Sequence, residues 1–173
     1  ICKLELLMKQ AEITVEDRKV TIVALEREKN ENGNPAMAIE LRDGTIVSGG
    51  TSELLGAASS ALINALKVLA GIDKEVKLID PKAIDPIQDL KINYLGSKNP
   101  RLHTDEVLTA LSATAANNEI AMKAMKKLPL LKGCDAHSTV LLSSVDEQIF
   151  KKLGIQLTCE PKYEEDERMY HKN

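Results

Sequence analysis

At 173 residues, with 43% apolar and 28% charged residues and a net charge of −3, this chain is the size of one domain with a real core. It carries no global basic field for nucleic acid or an anionic membrane. With no Trp, one Phe (Phe150) and three Tyr, the core must be aliphatic and Ala-rich, and the scarcity of aromatics argues against base-stacking platforms. Cys2, Cys134 and Cys159 lack motif spacing and read as free thiols in a reducing compartment, and with no secretory signal or apolar span the expected location is the cytoplasm.

Leu4, Leu7 and Met8 sit at helical spacing, so residues 1–19 read as a helix or linker from an upstream domain, and the chain opens on Ile1 rather than Met. The β-branched run at 20–25 predicts a strand. Asn30 to Pro35 is a turn cluster. Met37, Ile39 and Leu41 alternate with Ala38 and Glu40, a half-buried strand, and Asp43-Gly44 predicts a type I′ turn into a return strand at 45–48. Gly49-Gly50 lets the chain turn sharply. Thr51 or Ser52 then caps a helix with Glu53 in its first turn, a slim face at 56–61 and an end at Gly71.

Residues 76–79 predict a short strand, and 87–95 a helix. Residues 96–103 form an exposed polar loop. Thr104 caps a helix reaching about Ala116, and a second helix spans 118–128. Lys123, Lys126, Lys127 and Lys132 are a solvated basic face. Residues 139–142 predict a buried strand, 144–153 a helix capped by Ser143 or Ser144, and 155–159 the last strand before Pro161. The sandwich domain is thus 20–161, with a helical segment at 84–128 and a charged tail at 162–173. Strands alternating with helices in the second half predict parallel pairing, a mixed sheet and helices on both faces: a three-layer α/β/α sandwich.

Four phrases resemble one family: Ser52-Glu-Leu-Leu-Gly-Ala-Ala-Ser-Ser-Ala-Leu-Ile-Asn-Ala-Leu66, Leu95-Gly-Ser-Lys-Asn-Pro-Arg-Leu-His-Thr-Asp-Glu-Val107, Lys132-Gly-Cys-Asp-Ala-His-Ser-Thr139 and Leu153-Gly-Ile-Gln-Leu-Thr-Cys-Glu-Pro161. Through them, nearly the whole chain resembles the C-terminal domain of the bacterial domain-of-unknown-function family 1846. The resemblance implies full-length members about three times longer and a cytidine-deaminase-like topology. Some members carry an ATP-dependent peptidase label, but this chain has neither a Gly-x4-Gly-Lys-Ser/Thr loop nor a His-Glu-x-x-His helix. Zinc deaminases open their first long helix with His-x-Glu and the next with Pro-Cys-x-x-Cys. Here the phrase is Thr51-Ser52-Glu53, with Glu53 at the proton-shuttle position and Thr51 in place of the histidine, and no Pro-Cys-x-x-Cys exists. No zinc site and no cofactor are expected, and the scaffold by itself does not assign a function.

The candidate chemistry lies in three places. Gly49, Gly50 and Thr51 lead to a helix start that offers backbone N–H groups to an anion, although Glu53 would repel one and a plain strand-to-helix turn is the favoured reading. Lys98, Asn99, Arg101 and His103 form the densest polar loop, suited to phosphate or carboxylate, with His103 as an acid or base; a solvated connector is the alternative. His137 and Ser138 adjoin a strand, where neighbours point to opposite faces, so they make a poor dyad, and Cys134-x-x-His137 lacks a second pair for a metal. The expectation is a site for a small anionic, nucleotide-like molecule, with Glu53, His103 and His137 as the candidates for moving protons. The alternative is a structural domain that docks on the missing N-terminal part or self-associates through the helix at 52–70, with neither nucleic acid nor membrane as partner.

Overall fold

The computed structural model describes residues 18–163. Most of the expected N-terminal segment and of the charged tail, with Cys2 and His171, lies outside the described residues.

The first element is a helix, α1 (Lys19–Asn30), where the β-branched run predicts a strand. Val20, Thr21 and Ala24 are its buried residues, a helical i, i+1, i+4 spacing, and Arg27 and Glu31 pair across the next turn. Four β-branched residues lower helix propensity by only tenths of a kcal/mol each, so burial against a sheet outweighs them. Strands β1 (Ala36–Glu40) and β2 (Ile46–Gly50) follow as an antiparallel hairpin. Its turn is not type I′. Gly44 alone takes positive φ there, Asp43 does not, and Gly44 N donates to Leu41 O while Leu41 N donates to Thr45 O, a three-residue loop with a left-handed glycine.

Gly49 and Gly50 belong to β2 and do not break it. Helix α2 (Ala57–Ala70) starts at the N-cap Gly56, five residues later than the Thr51 cap predicts, and ends at left-handed Gly71. Glu53 is therefore outside the helix. A Cβ on Gly49 would run into the backbone of Ala61, so this glycine is where α2 rests on the sheet. The expected strand at 76–79 is absent. Leu78 and Ile79 are buried in the core as irregular chain, which accounts for their apolar signal.

Helix α3 (Pro81–Asp89) is capped by Asp80, whose side chain accepts from Lys82 N, and it runs into a π-helical turn, Leu90–Tyr94. Helices α4 (Thr104–Ala115) and α5 (Glu119–Met125) and a 3-10 turn, Leu128–Leu131, lead to strand β3 (Asp135–Ser138). The predicted strand at 139–142 is thus displaced toward the N-terminus. The ladder with β1 closes where Thr139 bonds Ala36 through both N and Oγ1, because Pro35 has no N–H to extend it. Helix α6 (Ser144–Leu153), capped by Ser143, and strand β4 (Gln156–Cys159) complete the chain.

The sheet order is β2-β1-β3-β4, antiparallel at the first two pairings and parallel at the last. Register assigns its faces. Ala38, in line with Ser48, His137 and Thr158, faces α1 and packs with Val20 and Ala24. Met37, Ile39 and Ala136 face α2 and the other helices, where most of the core lies. The molecule is therefore α/β, with a mixed four-stranded sheet between helices. No described helix is long and apolar enough to cross a membrane.

Candidate functional site

The topology delivers the carboxyl ends of β2, β3 and β4 to one edge, because Ala36 pairs with Gly50, Met37 with Ser138, and Ser138 with Cys159. Crevices outside the carboxyl ends of strands are the usual ligand sites of open α/β sheets. Here the edge carries a cavity of about 50 Å³ touched by three helix N-caps: Gly56 of α2, His103 of α4 and Ser143 of α6. Asn99, Arg101 and Asp146 also line it, with Pro35 and residues 140–142.

The loop that brings Asn99, Arg101 and His103 here is braced from beneath. Lys91, buried in the π-helical turn, donates to Glu106 Oε1 at 2.8 Å and also to Arg101 O. The same Glu106 oxygen accepts His103 N at 2.9 Å. Asn99 Oδ1 accepts Arg101 N at 3.0 Å, and Gln88 Nε2 bridges Pro100 O and Glu53 O at 3.0 and 3.1 Å. Leu102 is tied to both sides of the preceding loop, its N to Leu54 O and its O to Gly56 N. Arg101 Nε donates to Ser52 O at 2.6 Å, so residues 51–56 and 99–102 form one joined rim.

At the centre is a pair. His103 Nδ1 lies 3.3 Å from Asp146 Oδ2, and Thr104 gives Asp146 Oδ1 two bonds, from its N at 3.0 Å and its Oγ1 at 2.6 Å. The hydrogen bond to Asp146 raises the His103 pKa above the ordinary histidine value, and this outweighs its burial. Burial alone would raise Asp146, but the bonds from His103 and Thr104 overcome it and hold the carboxyl below the usual range. Both directions describe an imidazolium–carboxylate pair. Asp146 fixes the ring through Nδ1, while Nε2 has no hydrogen bond among the described residues. The His103 side chain is 33% exposed, so that nitrogen is open to exchange with a ligand or solvent.

The other sequence candidates divide. Thr51 donates through Oγ1 to Pro35 O at 2.8 Å and supports the cavity from behind. Ser138, buried, donates to Val140 O at 2.6 Å and shapes the next loop. Lys98 is exposed and does not line the cavity. Gly49 lies under α2, and Gly50 faces Glu31. Glu53 is exposed.

His137 is on the opposite sheet face, fully buried. Its Nδ1 lies 2.7 Å from Thr158 Oγ1, which also accepts from Arg18 Nη1 at 2.6 Å. Burial, helped by the Arg18 charge, pushes its pKa down to about 4. That ring is neutral and closed to a ligand on the other side of the sheet. Among the described residues, no three His, Cys, Asp or Glu side chains group to hold a metal ion.

Sequence reading missed Asp146, Lys91 and Glu106. Asp146 looked like a first-turn charge of α6, and only the tertiary fold sets α6 beside α4. Lys91 falls within the predicted helix 87–95, where no local pattern marks it as buried.

Comparison with known proteins then fixes the family. Residues 16–170 match the family described as "Domain of unknown function DUF1846, C-terminal", and the chain belongs to that family. It is 54% identical over 162 residues, 94% of its length, to a UPF0371 protein of Corynebacterium glutamicum, and 52% identical over 170 residues to one of Streptococcus thermophilus. A UPF0371 protein of Streptococcus sanguinis is 54% identical over 171 residues. The chain covers 32 to 34% of the length of these relatives, about a third.

Proposed function

We propose that this domain binds a small molecule through an anionic group, phosphate or carboxylate, seated between Arg101, Asn99 and His103. The observation that carries this reading is the convergence on one cavity of three helix N-caps with an arginine and a histidine whose partner favours its charged form. The Asp146 carboxylate at the same cavity is neutralised by His103 and occupied by Thr104, so Arg101 and the N-terminus of α2 set the local sign. A volume of about 50 Å³ admits a head group only, so the body of a nucleotide-like ligand would lie outside. Of the three proton-transfer candidates, His103 alone lines this cavity, and Asp146 orients its ring as a general acid or base would require.

The scaffold is read as a zinc-free relative of cytidine-deaminase-like domains, which the hairpin, the following helix and the parallel β3–β4 pair support. The buried cysteines Cys134 and Cys159, which form no disulfide among the described residues, fit a cytoplasmic setting. A second reading, docking on the remainder of a longer protein, has Tyr94 and Leu95 on its side, 75% and 71% exposed and adjacent. The slim face of α2 cannot serve that role, because the sheet already covers it.

Calorimetric titration of the chain with inorganic phosphate and with phosphorylated and carboxylated metabolites tests the first reading. Saturable binding that tightens from pH 8 to pH 6 and is lost in Arg101→Ala is expected. Binding unchanged in Arg101→Ala would remove the assignment.

A further inference from the structure

A second and larger cleft lies on the far side of the rim formed by residues 51–55. It opens between α2 and the segment from Lys77 to Ile84, with a volume of about 370 Å³, within the range of sites that enclose small ligands. We propose that this cleft is a separate binding site for a small carboxylate with an aliphatic body. The carboxylate rests on Lys67, and the body lies against Leu54, Ile63 and Ile84. This inference is independent of the anion cavity.

Lys67 is the anchor. It is 9% exposed although it is a lysine, and it lines the cleft. Its Nζ donates to Lys74 O at 3.1 Å. An ammonium has three donors, so two of its N–H groups have no partner among the described residues. Burial lowers its pKa despite the nearby charges of Asp73 and Glu75, the mark of a cation short of solvation. One turn earlier on the same helix face, Asn64 uses Nδ2 on Ser48 O at 3.0 Å, which leaves its Oδ1 as an acceptor without a partner among the described residues.

The remaining charges of the cleft settle the sign of the ligand. Arg27 and Glu31 neutralise each other through two contacts of 3.2 and 3.3 Å, and Arg27 Nη1 is further held by Ser48 O and Oγ. Lys77, exposed, adds a second positive charge at the rim. The cleft therefore presents Lys67 and Lys77 to a ligand, while Asp73 and Glu75, near Lys67, are not among its lining residues, which favours an anion over a cation. Two spare N–H donors match the two oxygens of a monoanionic carboxylate. The leucine and isoleucine walls gain from an aliphatic body by removing apolar surface from water.

The test follows the backbone amides and the Ile and Leu methyl groups of the intact chain by NMR while it is titrated with 4-methylvalerate, and in parallel with 4-methylpentan-1-ol as the uncharged counterpart. Saturating shifts at Ile63 and Ile84 are expected with the acid, at an affinity at least tenfold above that of the alcohol. Lys67→Met, which keeps the aliphatic stem, should weaken the acid tenfold or more and leave the alcohol unchanged. Should that variant fail to fold, the acid–alcohol ratio on the unaltered chain decides alone. Absence of saturation, or equal affinity for acid and alcohol, overturns the proposal. So do acid shifts confined to His103 and its neighbours, and these would leave the anion cavity standing as the binding site.

Discussion

The two histidines of the described fold stand on either side of one question. His137 is held inside the sheet face beneath α1 among Thr158 and Arg18, and its pKa falls to about 4. His103 caps α4 at the open edge against Asp146, and its pKa rises. Both are buried to a degree, so burial alone does not decide the sign. What decides it is whether a carboxylate sits at hydrogen-bond distance. Glu160 Oε1 is 3.7 Å from His137 Nε2, outside hydrogen-bonding range, whereas Asp146 is engaged. The interior of the sheet and its loop edge therefore do different work. Substitutions in the first should change stability and leave ligand binding alone, whereas substitutions in the second should change ligand binding, with a cost in stability only where a buried bond such as those of Asp146 is lost.

The largest effect belongs to the interior. Gly49→Ala would press a methyl into the Ala61 backbone, which has no rotamer to yield, and should cost about 3 kcal/mol in chemical denaturation. Gly50→Ala is the control one residue on. It meets the end of the Glu31 side chain, which can swing aside, and should cost about 1 kcal/mol. Equal losses at the two positions would show that the α2 contact does not set the requirement.

Acid comes next. An unfolded histidine titrates near 6.5 and His137 near 4, so between these values the unfolded state binds the extra proton. The stability tied to a neutral His137 is complete above about pH 6.5 and falls by about 3 kcal/mol on the way to pH 4. Denaturation midpoints measured at intervals over that window should fall as pH falls. His137→Gln should flatten the slope, even if it starts from a lower value.

Asp146→Asn should lower the His103 pKa and cost about 2 kcal/mol at pH 6, the scale of a buried hydrogen bond to a charge. The sign for His103 is opposite to that for His137. Its raised pKa contributes stability below the unfolded value near 6.5, and this is lost as pH rises through its folded value. The histidine part of the Asp146→Asn penalty should therefore shrink above that point, which denaturation at pH 6 and pH 9 would reveal. Smallest in stability is Arg101→Ala, within about 0.5 kcal/mol of the parent, since the loop is braced by Lys91, Glu106 and Gln88. Its effect should fall on anion binding instead.

Much of the frame was legible in the residues. The strand at Met37 and Ile39, the glycine stop at Gly71, the Ser143 cap and the parallel pairing of the last strands all follow from local pattern and stand in the fold, but the strand expected to be half-buried is buried on both faces, because Val20 and Ala24 cover Ala38. The errors share a cause. Residues 20–25 carry a strand-like composition, but burial of Val20 and Ala24 against Ala38, with Ile22 left exposed, makes them a helix. Leu78 and Ile79 carry a core signal that a strand and a buried loop share. For the site, the loop at 97–103 was readable because Asn99, Arg101 and His103 are polar and close together, with Gly96 just before them and Pro100 among them. Asp146 was not readable, since its meaning depends on a partner 43 residues away in the chain. His137 attracted attention as a residue type, and only strand parity and register show that it faces the other way.

The most direct measurement is an NMR titration of the histidine rings with inorganic phosphate. Saturable shifts of the His103 ring with a further rise in its pKa, while His137 stays fixed, are the outcome expected of an anion site at the three-cap cavity. A His103 ring that titrates identically with and without phosphate, or one that moves together with His137, would contradict it.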